Sequence, residues 1–400
     1  MSDRTKTKNN NFGIHEVVVL IIITCIVSLI MGFVIGNNKS TCEEIVEDEV
    51  LEEIVSNYKK ITSEYEGKID KKELLSGAIN GMLSSLGDEY SNVLSDDSDT
   101  FYTTLNGSYE GIGVEIINDN SNNIIVVGVL EDSPAEKAGI KKNDIIKSID
   151  NVDMTNKDKS ELSNYVKNND KEKYTIVVKR NGDELKFELS KETVSIKSVL
   201  TKVIEKENQK IGYIYISIFS GTTSEQFKKA LDELEKQNIN SLIIDVRENS
   251  GGHLTTVVDM LSYMLSSDKV IYQIEKDGKT TLYNSKGKKN IEYPIVLIQN
   301  KNSASASELF VSALSEQLGA YIIGETSYGK GTVQEVNYLS NGDTYKFTTK
   351  KWKTSKGVWI NKKGIKPDLE ISLDEEYSLN PNDNTDNQLQ AAIKYLIEEK

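Results

Sequence analysis

Small residues crowd the run Asn302-Ser303-Ala304-Ser305-Ala306-Ser307-Glu308-Leu309, between a buried-strand pattern and an apolar helical one. A serine at such a helix start exposes its Oγ beside backbone N–H groups that no preceding carbonyl claims, which suits a nucleophile whose attack creates an oxyanion. Taken alone, the run reads first as a Ser/Ala linker with an N-cap serine. After the next strand comes Gly324-Glu325-Thr326-Ser327-Tyr328-Gly329-Lys330-Gly331-Thr332-Val333-Gln334, with a lysine between two glycines. This loop lacks the Ser/Thr-bearing helix order of a phosphate-binding loop, so a nucleotide site is set aside. Upstream, Ile244-Asp245-Val246-Arg247-Glu248-Asn249-Ser250-Gly251-Gly252 is a strand ending in a Gly-Gly turn. That turn is either plain punctuation or a place where a backbone N–H comes close to a substrate carbonyl.

The elements that must position these segments alternate. Strands at 211–217, 241–246, 295–298 and 321–323 are interleaved with helices at 224–237, 254–265 and about 305–318, which is the pattern of an α/β core. This core is placed at 193–375, with a final helix at 387–400 after an Asn/Asp-rich linker. Ahead of it, 107–192 carries short β-rich runs (109–116, 124–130, 145–149, 174–178, 185–189) and one late helix with Leu162, Tyr165 and Val166 on a face. Within that domain, Tyr109-Glu110-Gly111-Ile112-Gly113-Val114-Glu115-Ile116, Ser133-Pro134-Ala135-Glu136-Lys137-Ala138-Gly139-Ile140 and Asn143-Asp144-Ile145-Ile146 together resemble a PDZ domain of bacterial proteases. The resemblance implies that backbone N–H groups near Gly111, Ile112 and Gly113 cradle a terminal carboxylate. The strand from Val114 then pairs with the peptide, and Leu162 and Val166 line the other wall.

Residues 43–105 read as helices: Val46, Val50, Ile54, Tyr58 and Ile61 recur at helical spacing, as do Leu75, Ile79, Met82 and Leu86. Residues 17–36 are uncharged and apolar, long enough at ~1.5 Å per residue to cross a ~30 Å hydrocarbon layer. Arg4, Lys6 and Lys8 precede this stretch and an acidic run follows it. The positive-inside rule therefore leaves residues 1–16 in the cytoplasm and everything after the span outside, in a cell-membrane protein of one pass. A cleaved signal peptide is the competing reading, and no A-x-A-like site follows Gly36. A net charge of −14 excludes a nucleic-acid partner. Two cysteines, Cys25 and Cys42, supply neither a disulfide framework nor a cysteine-rich metal site, and two histidines exclude a multi-histidine one.

Taken in order, these segments closely resemble the carboxyl-terminal processing peptidase family, from about Glu43 to the chain end. Gly77-Ala78-Ile79-Asn80-Gly81-Met82-Leu83 and Gly364-Ile365-Lys366-Pro367-Asp368 are included. The resemblance implies a serine endopeptidase with Ser305 as nucleophile, Lys330 as general base and Gln334 orienting the lysine. Gly251 and Ala306 would supply the oxyanion-hole N–H groups, with no metal and no organic cofactor. It implies extracytoplasmic protein substrates with exposed C-terminal tails, and two subunits paired through terminal helices. Where such families read Arg-Asn-Asn-Pro-Gly-Gly, this chain has Arg247-Glu248-Asn249-Ser250-Gly251-Gly252, which predicts a less rigid turn.

Histidine scarcity agrees with a lysine base, since a Ser-His-Asp triad would have to use His253. For Lys330 to act, its pKa must fall from ~10.4 towards 7 or 8, roughly 3–5 kcal/mol of burial or neighbouring positive charge. The expected architecture is thus an α/β protease core, a preceding β-rich PDZ domain, an N-terminal helical region and one N-terminal transmembrane helix. The rivals are a PDZ scaffold that never aligns Ser305 with Lys330, and a gated protease held off until its PDZ domain moves.

Overall fold

The structure is a computed structural model that describes residues 49–94, 103–288 and 290–398. The expected membrane span at 17–36 lies outside the described residues. Among those described, no helix is long and apolar enough to cross a membrane. The chain divides into two compact units, 1–78 and 79–400. In the first, α1 (Glu49–Glu64) buries none of its side chains, and its apolar residues Val50, Ile54, Tyr58 and Ile61 are exposed. α2 (Lys71–Ser85) crosses the boundary. The stripe expected to end in Met82 and Leu86 is exposed at both, and Leu83 is the residue it buries.

The second unit opens on a departure from the helical expectation: β1 (Asn92–Leu94) is a strand. The β-rich domain follows with β2 (Ser108–Gly111), β3 (Val114–Asn118), β4 (Ile124–Val129), α3 (Pro134–Ala138), β5 (Ile145–Ile149) and β6 (Val152–Asp153). It continues through α4 (Lys159–Asn168), β7 (Tyr174–Arg180), β8 (Asp183–Leu189) and β9 (Glu192–Ser195). Its antiparallel sheet runs β3-β4-β5-β7-β8, leaving β3 as an edge strand. Alternating apolar residues, Ile124 and Val126 on β4 and Ile176 and Val178 on β7, turn to one face and bury against Leu162 and Val166 of α4. β2 pairs with β9, so the chain enters and leaves this domain through one two-stranded ribbon.

The core sheet is β10 (Val199–Lys206), β11 (Gln209–Ile216), β12 (Ser241–Asp245), β15 (Ile295–Gln299), β16 (Tyr321–Gly324) and β19 (Leu369–Glu370), in that order. It is parallel from β11 to β19, with β10 antiparallel. Both faces of its central strands are buried, which is why β12 and β15 read as continuous apolar runs rather than alternating ones. On one face Leu242, Ile244, Leu297 and Ile322 pack under α5 (Thr223–Lys236), α6 (Leu254–Met264) and α7 (Ala306–Leu318). On the other, Ile243, Val296 and Ile323 meet Leu389, Ile393 and Leu396 of α9 (Asn387–Glu398). At ~1.5–3 kcal/mol for each fully buried large aliphatic side chain, the last helix is a structural third layer.

A second sheet joins distant pieces: β13 (Val270–Lys276), β14 (Lys279–Asn284), β17 (Thr332–Tyr338), β18 (Thr344–Thr354) and β1. β18 receives β17 along one edge and, along the other, first β1 (Asn92 opposite Lys346) and then β13. A segment near residue 90 is thereby brought to the start of β17, where Lys330 lies.

Candidate active site

Ser305 sits between β15 and α7 with φ +55° and ψ −113°, in the left-handed half of backbone space that a non-glycine residue occupies only when its surroundings hold it there. They do so on both sides. Ala304 N–H donates to the Asn249 carbonyl (3.0 Å), Ser307 Oγ donates to the same carbonyl (2.8 Å), and Ser303 Oγ donates to the Val246 carbonyl (2.8 Å). From residue 303 to 309 Ser305 alone keeps some exposure; its neighbours are buried.

The turn that ends β12 lies against it. Gly251 has φ +112°, and a Cβ there would come within 2.9 Å of the Ala304 carbonyl oxygen and 3.2 Å of both Ala306 N and Ser305 Cβ. Gly251, Ser305 and Ala306 therefore meet. The oxyanion assignment is less simple. Ala306 N–H, the first of α7, has no hydrogen bond among the described residues, whereas Gly251 N–H donates to Asn249 Oδ1 (2.9 Å). Hydrogen bonds brace the turn that lacks the proline. Asn249 is wholly buried and its Nδ2 donates to the Ile216 carbonyl (2.9 Å). The Glu248 carboxylate accepts from Asn300 Nδ2 (2.6 Å) and Asn302 Nδ2 (2.8 Å).

A residue given no role in the sequence reading organises the site. Glu308 is completely buried in the first turn of α7 and accepts four hydrogen bonds. Oε2 takes Ser305 N–H (2.7 Å) and Lys330 N–H (2.8 Å); Oε1 takes Gly329 N–H (2.6 Å) and Ser327 Oγ–H (2.6 Å). One carboxylate thus ties the serine turn to the lysine loop. Burial pushes its pKa above the ordinary glutamate value, while the four donors favour the ionised form. A signal for it was present, since Ser305-x-x-Glu308 before an apolar run is the capping-box spacing.

The lysine loop is pinned from its far side by Trp352 Nε1, which donates to the Lys330 carbonyl (2.7 Å), and by Trp359 Nε1, which donates to that of Gly331 (2.9 Å). Burial holds the Lys330 amine below the usual lysine range, and Lys346 on β18 adds to this, while Asp88, Glu308 and Glu89 oppose it. No hydrogen bond joins Lys330 Nζ to Ser305 Oγ among the described residues. The ammonium instead lies over the ring of Tyr90, 4.8 Å from its centroid. Gln334, expected to orient the lysine, directs its Nε2 to Thr332 Oγ1 (2.9 Å) and Thr348 Oγ1 (3.1 Å).

In the β-rich domain, Gly111, Ile112 and Gly113 form the turn from β2 into β3, with Gly113 at φ +83°, and Val114 opens the free-edged β3. Ala135 N–H donates to the Ile112 carbonyl (2.9 Å) and Leu130 N–H to that of Gly113 (3.0 Å), which fixes the turn's shape. Leu162 and Val166, expected to line the other wall, are buried on the apolar stripe that α4 turns onto the sheet.

On the far side of the core sheet, a cleft of about 500 Å³ is lined by Tyr213, Tyr215, Arg247 and Asp386, among others. It lies apart from Ser305. Its floor is an ion cluster in which Arg247 bonds Asp245, Asp386 and Gln388, so the guanidinium links the end of β12 to the start of α9.

Comparison with known proteins agrees with these parts. Residues 210–371 match Peptidase family S41, residues 125–180 match a PDZ domain, and residues 34–98 match the Activating protease CtpB N-terminal domain. The Carboxy-terminal processing protease CtpB of Bacillus subtilis (strain 168) is 38% identical over 340 residues, 84% of this chain and 70% of that protein. CtpA of the same organism is 32% identical, over 88% of this chain and 76% of its own length. A Probable CtpA-like serine protease of Staphylococcus aureus (strain COL) is 32% identical, over 91% and 73%. With an S41 peptidase match, a PDZ match and relatives this similar over most of its length, the chain belongs to the carboxy-terminal processing peptidases of family S41, serine-type peptidases.

Proposed function

We propose that this carboxy-terminal processing peptidase works with a Ser305–Lys330 dyad on proteins outside the cytoplasm, gripping their exposed C-terminal tails on its PDZ domain. The observation that carries the dyad is the shared carboxylate: Glu308 Oε2 accepts from the N–H of both Ser305 and Lys330. In the reaction, the neutral Lys330 amine takes the Ser305 hydroxyl proton as Oγ attacks the scissile carbonyl. The oxyanion is stabilised by Ala306 N–H and the start of α7, joined by Gly251 N–H once that group leaves Asn249. The ammonium then protonates the leaving amine, and a water activated by the same lysine hydrolyses the acyl-enzyme. No metal or organic cofactor enters these steps.

Tail binding is supported by the free edge of β3, which offers backbone groups for an added strand beside the Gly111–Gly113 turn. The apolar 17–36 segment supports a membrane anchor and an extracytoplasmic peptidase. The exposed apolar residues of α1 support pairing of two copies. Of the rival readings, the gated protease is favoured over the silent scaffold, because the backbones of Lys330 and Ser305 share the Glu308 carboxylate while the lysine amine rests on Tyr90.

The test compares the full-length chain with Ser305→Ala and Lys330→Ala on an unfolded protein substrate, with products read by mass spectrometry. Cleavage by the parent and by neither variant is expected, with Ser305→Ala still binding C-terminal peptides. Cleavage by Lys330→Ala at the parent rate would remove the dyad.

A further inference from the structure

Lys330 is placed by contacts that say more than proximity. Its backbone is fixed by Glu308 and Trp352, so only its side chain is free to choose a position. The amine lies over an aromatic face with no hydrogen bond to Ser305 Oγ among the described residues, and Gln334 Nε2 donates to two threonine hydroxyls.

The ring is itself held in place. Tyr90 N–H donates to Asp88 Oδ1 (3.2 Å), Ser91 Oγ accepts from Thr348 N–H (3.1 Å), and β1 pairs with β18 immediately afterwards. The Tyr90 hydroxyl is further engaged by Tyr328, in the lysine loop itself, and by Glu89. Burial, with Tyr328 and Glu89, also keeps this phenol protonated well above neutral pH, so the ring stays neutral beneath the amine. The charged groups facing Lys330 are Lys346 from β18, Asp88 and Glu89 from the turn before β1, and Glu308 from α7.

An aromatic face attracts a cation and gains almost nothing from a neutral amine. A lysine that is to act as a base must be neutral when it reaches the serine. The ring therefore favours the protonation state that cannot catalyse. We propose that Tyr90 is a positioning residue that holds the Lys330 side chain as an ammonium in a resting place off Ser305, from which it must move to complete the site. This rests on the reading of Lys330 as the general base. It gives the gate a specific part: what moves the segment before β1, or the loop at Tyr328, changes how long Lys330 stays parked.

The experiment measures the rate at which a fluorophosphonate labels Ser305 in the full-length chain, across a pH series. The parent is compared with Tyr90→Phe, Tyr90→Leu and a chain carrying pentafluorophenylalanine in place of Tyr90, which keeps a ring of similar size but reverses its quadrupole. Phe retains the attractive face, so Tyr90→Phe should label with the parent's pH midpoint. Tyr90→Leu and the fluorinated ring should label faster at neutral pH, by a few-fold to about thirtyfold, the range set by a single cation–π contact. Their midpoints should move to lower pH, because the ammonium loses a stabilising partner. The fluorinated chain keeps the comparison open if Tyr90→Leu does not fold. Parent-like midpoints, or slower labelling, in the fluorinated chain would overturn the proposal. Lys330→Ala separates this from the base assignment: undiminished labelling without the lysine would sink the dyad itself, whatever the Tyr90 series does.

Discussion

Glu308→Gln is the substitution that tests the site most directly, since it preserves shape and removes one charge and half of the acceptor capacity. The carboxylate accepts from four donors: three backbone N–H groups and the Ser327 hydroxyl. A glutamine keeps one carbonyl oxygen and brings an NH2 group against whatever the other oxygen held. The least costly orientation turns the NH2 towards Ser327, whose hydroxyl can rotate to accept, and leaves Gly329 N–H unpaired. A buried donor left unsatisfied costs about 1–3 kcal/mol, and weakening the remaining charge-assisted bonds adds to it, so roughly 2–4 kcal/mol is expected. Part of this should appear as a lower Tm, and part as a looser connection between Ser305 and the Lys330 loop. The assay is fluorophosphonate labelling of Ser305 well below the melting transition, with Tm measured on the same sample. Labelling should fall by more than about tenfold, in line with losing ~1.4 kcal/mol or more of site organisation. A variant that labels at the parent rate with an unchanged Tm would refute the idea that one carboxylate holds the two halves together.

Two further outcomes follow from the same geometry. Lys330→Met removes a group whose folded pKa lies below its unfolded value near 10.5, so the parent's unfolded chain binds more protons and its stability rises with pH across that interval. The variant lacks this rise: its gain in Tm should be largest below the depressed folded pKa and vanish above about 10.5, which a pH series of thermal melts would check. Asp386→Ala leaves Arg247, nearly buried, with Asp245 but without its second carboxylate; a loss of about 3 kcal/mol, read by urea unfolding, is expected, and a loss under ~1 kcal/mol would show the cluster to be a surface-like pair.

Much of the core was legible because local pattern and tertiary role agree there. The strands at 145–149, 241–245 and 295–299 and the helices at 223–236 and 387–398 carry apolar residues at the spacing their burial requires. The second sheet was not legible. β14 is exposed at every position, and β18 carries four lysines among its eleven residues and buries only Thr344, Trp352 and Thr354, so neither shows an alternating apolar pattern. β1 is three residues long and finds its partner some 250 positions away in β18. Leu162 and Val166 were located on the right helix face, but whether that face lines a groove or fills a core depends on how close α4 lies to the sheet.

The amino-acid sequence by itself determined the chemistry available to this protein: a serine at a helix start, a lysine between glycines, a Gly-Gly turn, few histidines and a PDZ-like glycine pattern. These are local features, set by backbone permissiveness and side-chain type within a few residues. Only the tertiary structure decided how they meet. Glu308 acquires its role because α7 is buried with a carboxylate facing both its own start at Ser305 and the single lysine loop, some twenty residues further along the chain. Tyr90 reaches Lys330 only because β1 adds to an edge that β17 and β18 create. Non-local pairing has no periodic signature in the chain, since its stabilisation comes from groups that meet only after the sheet has formed.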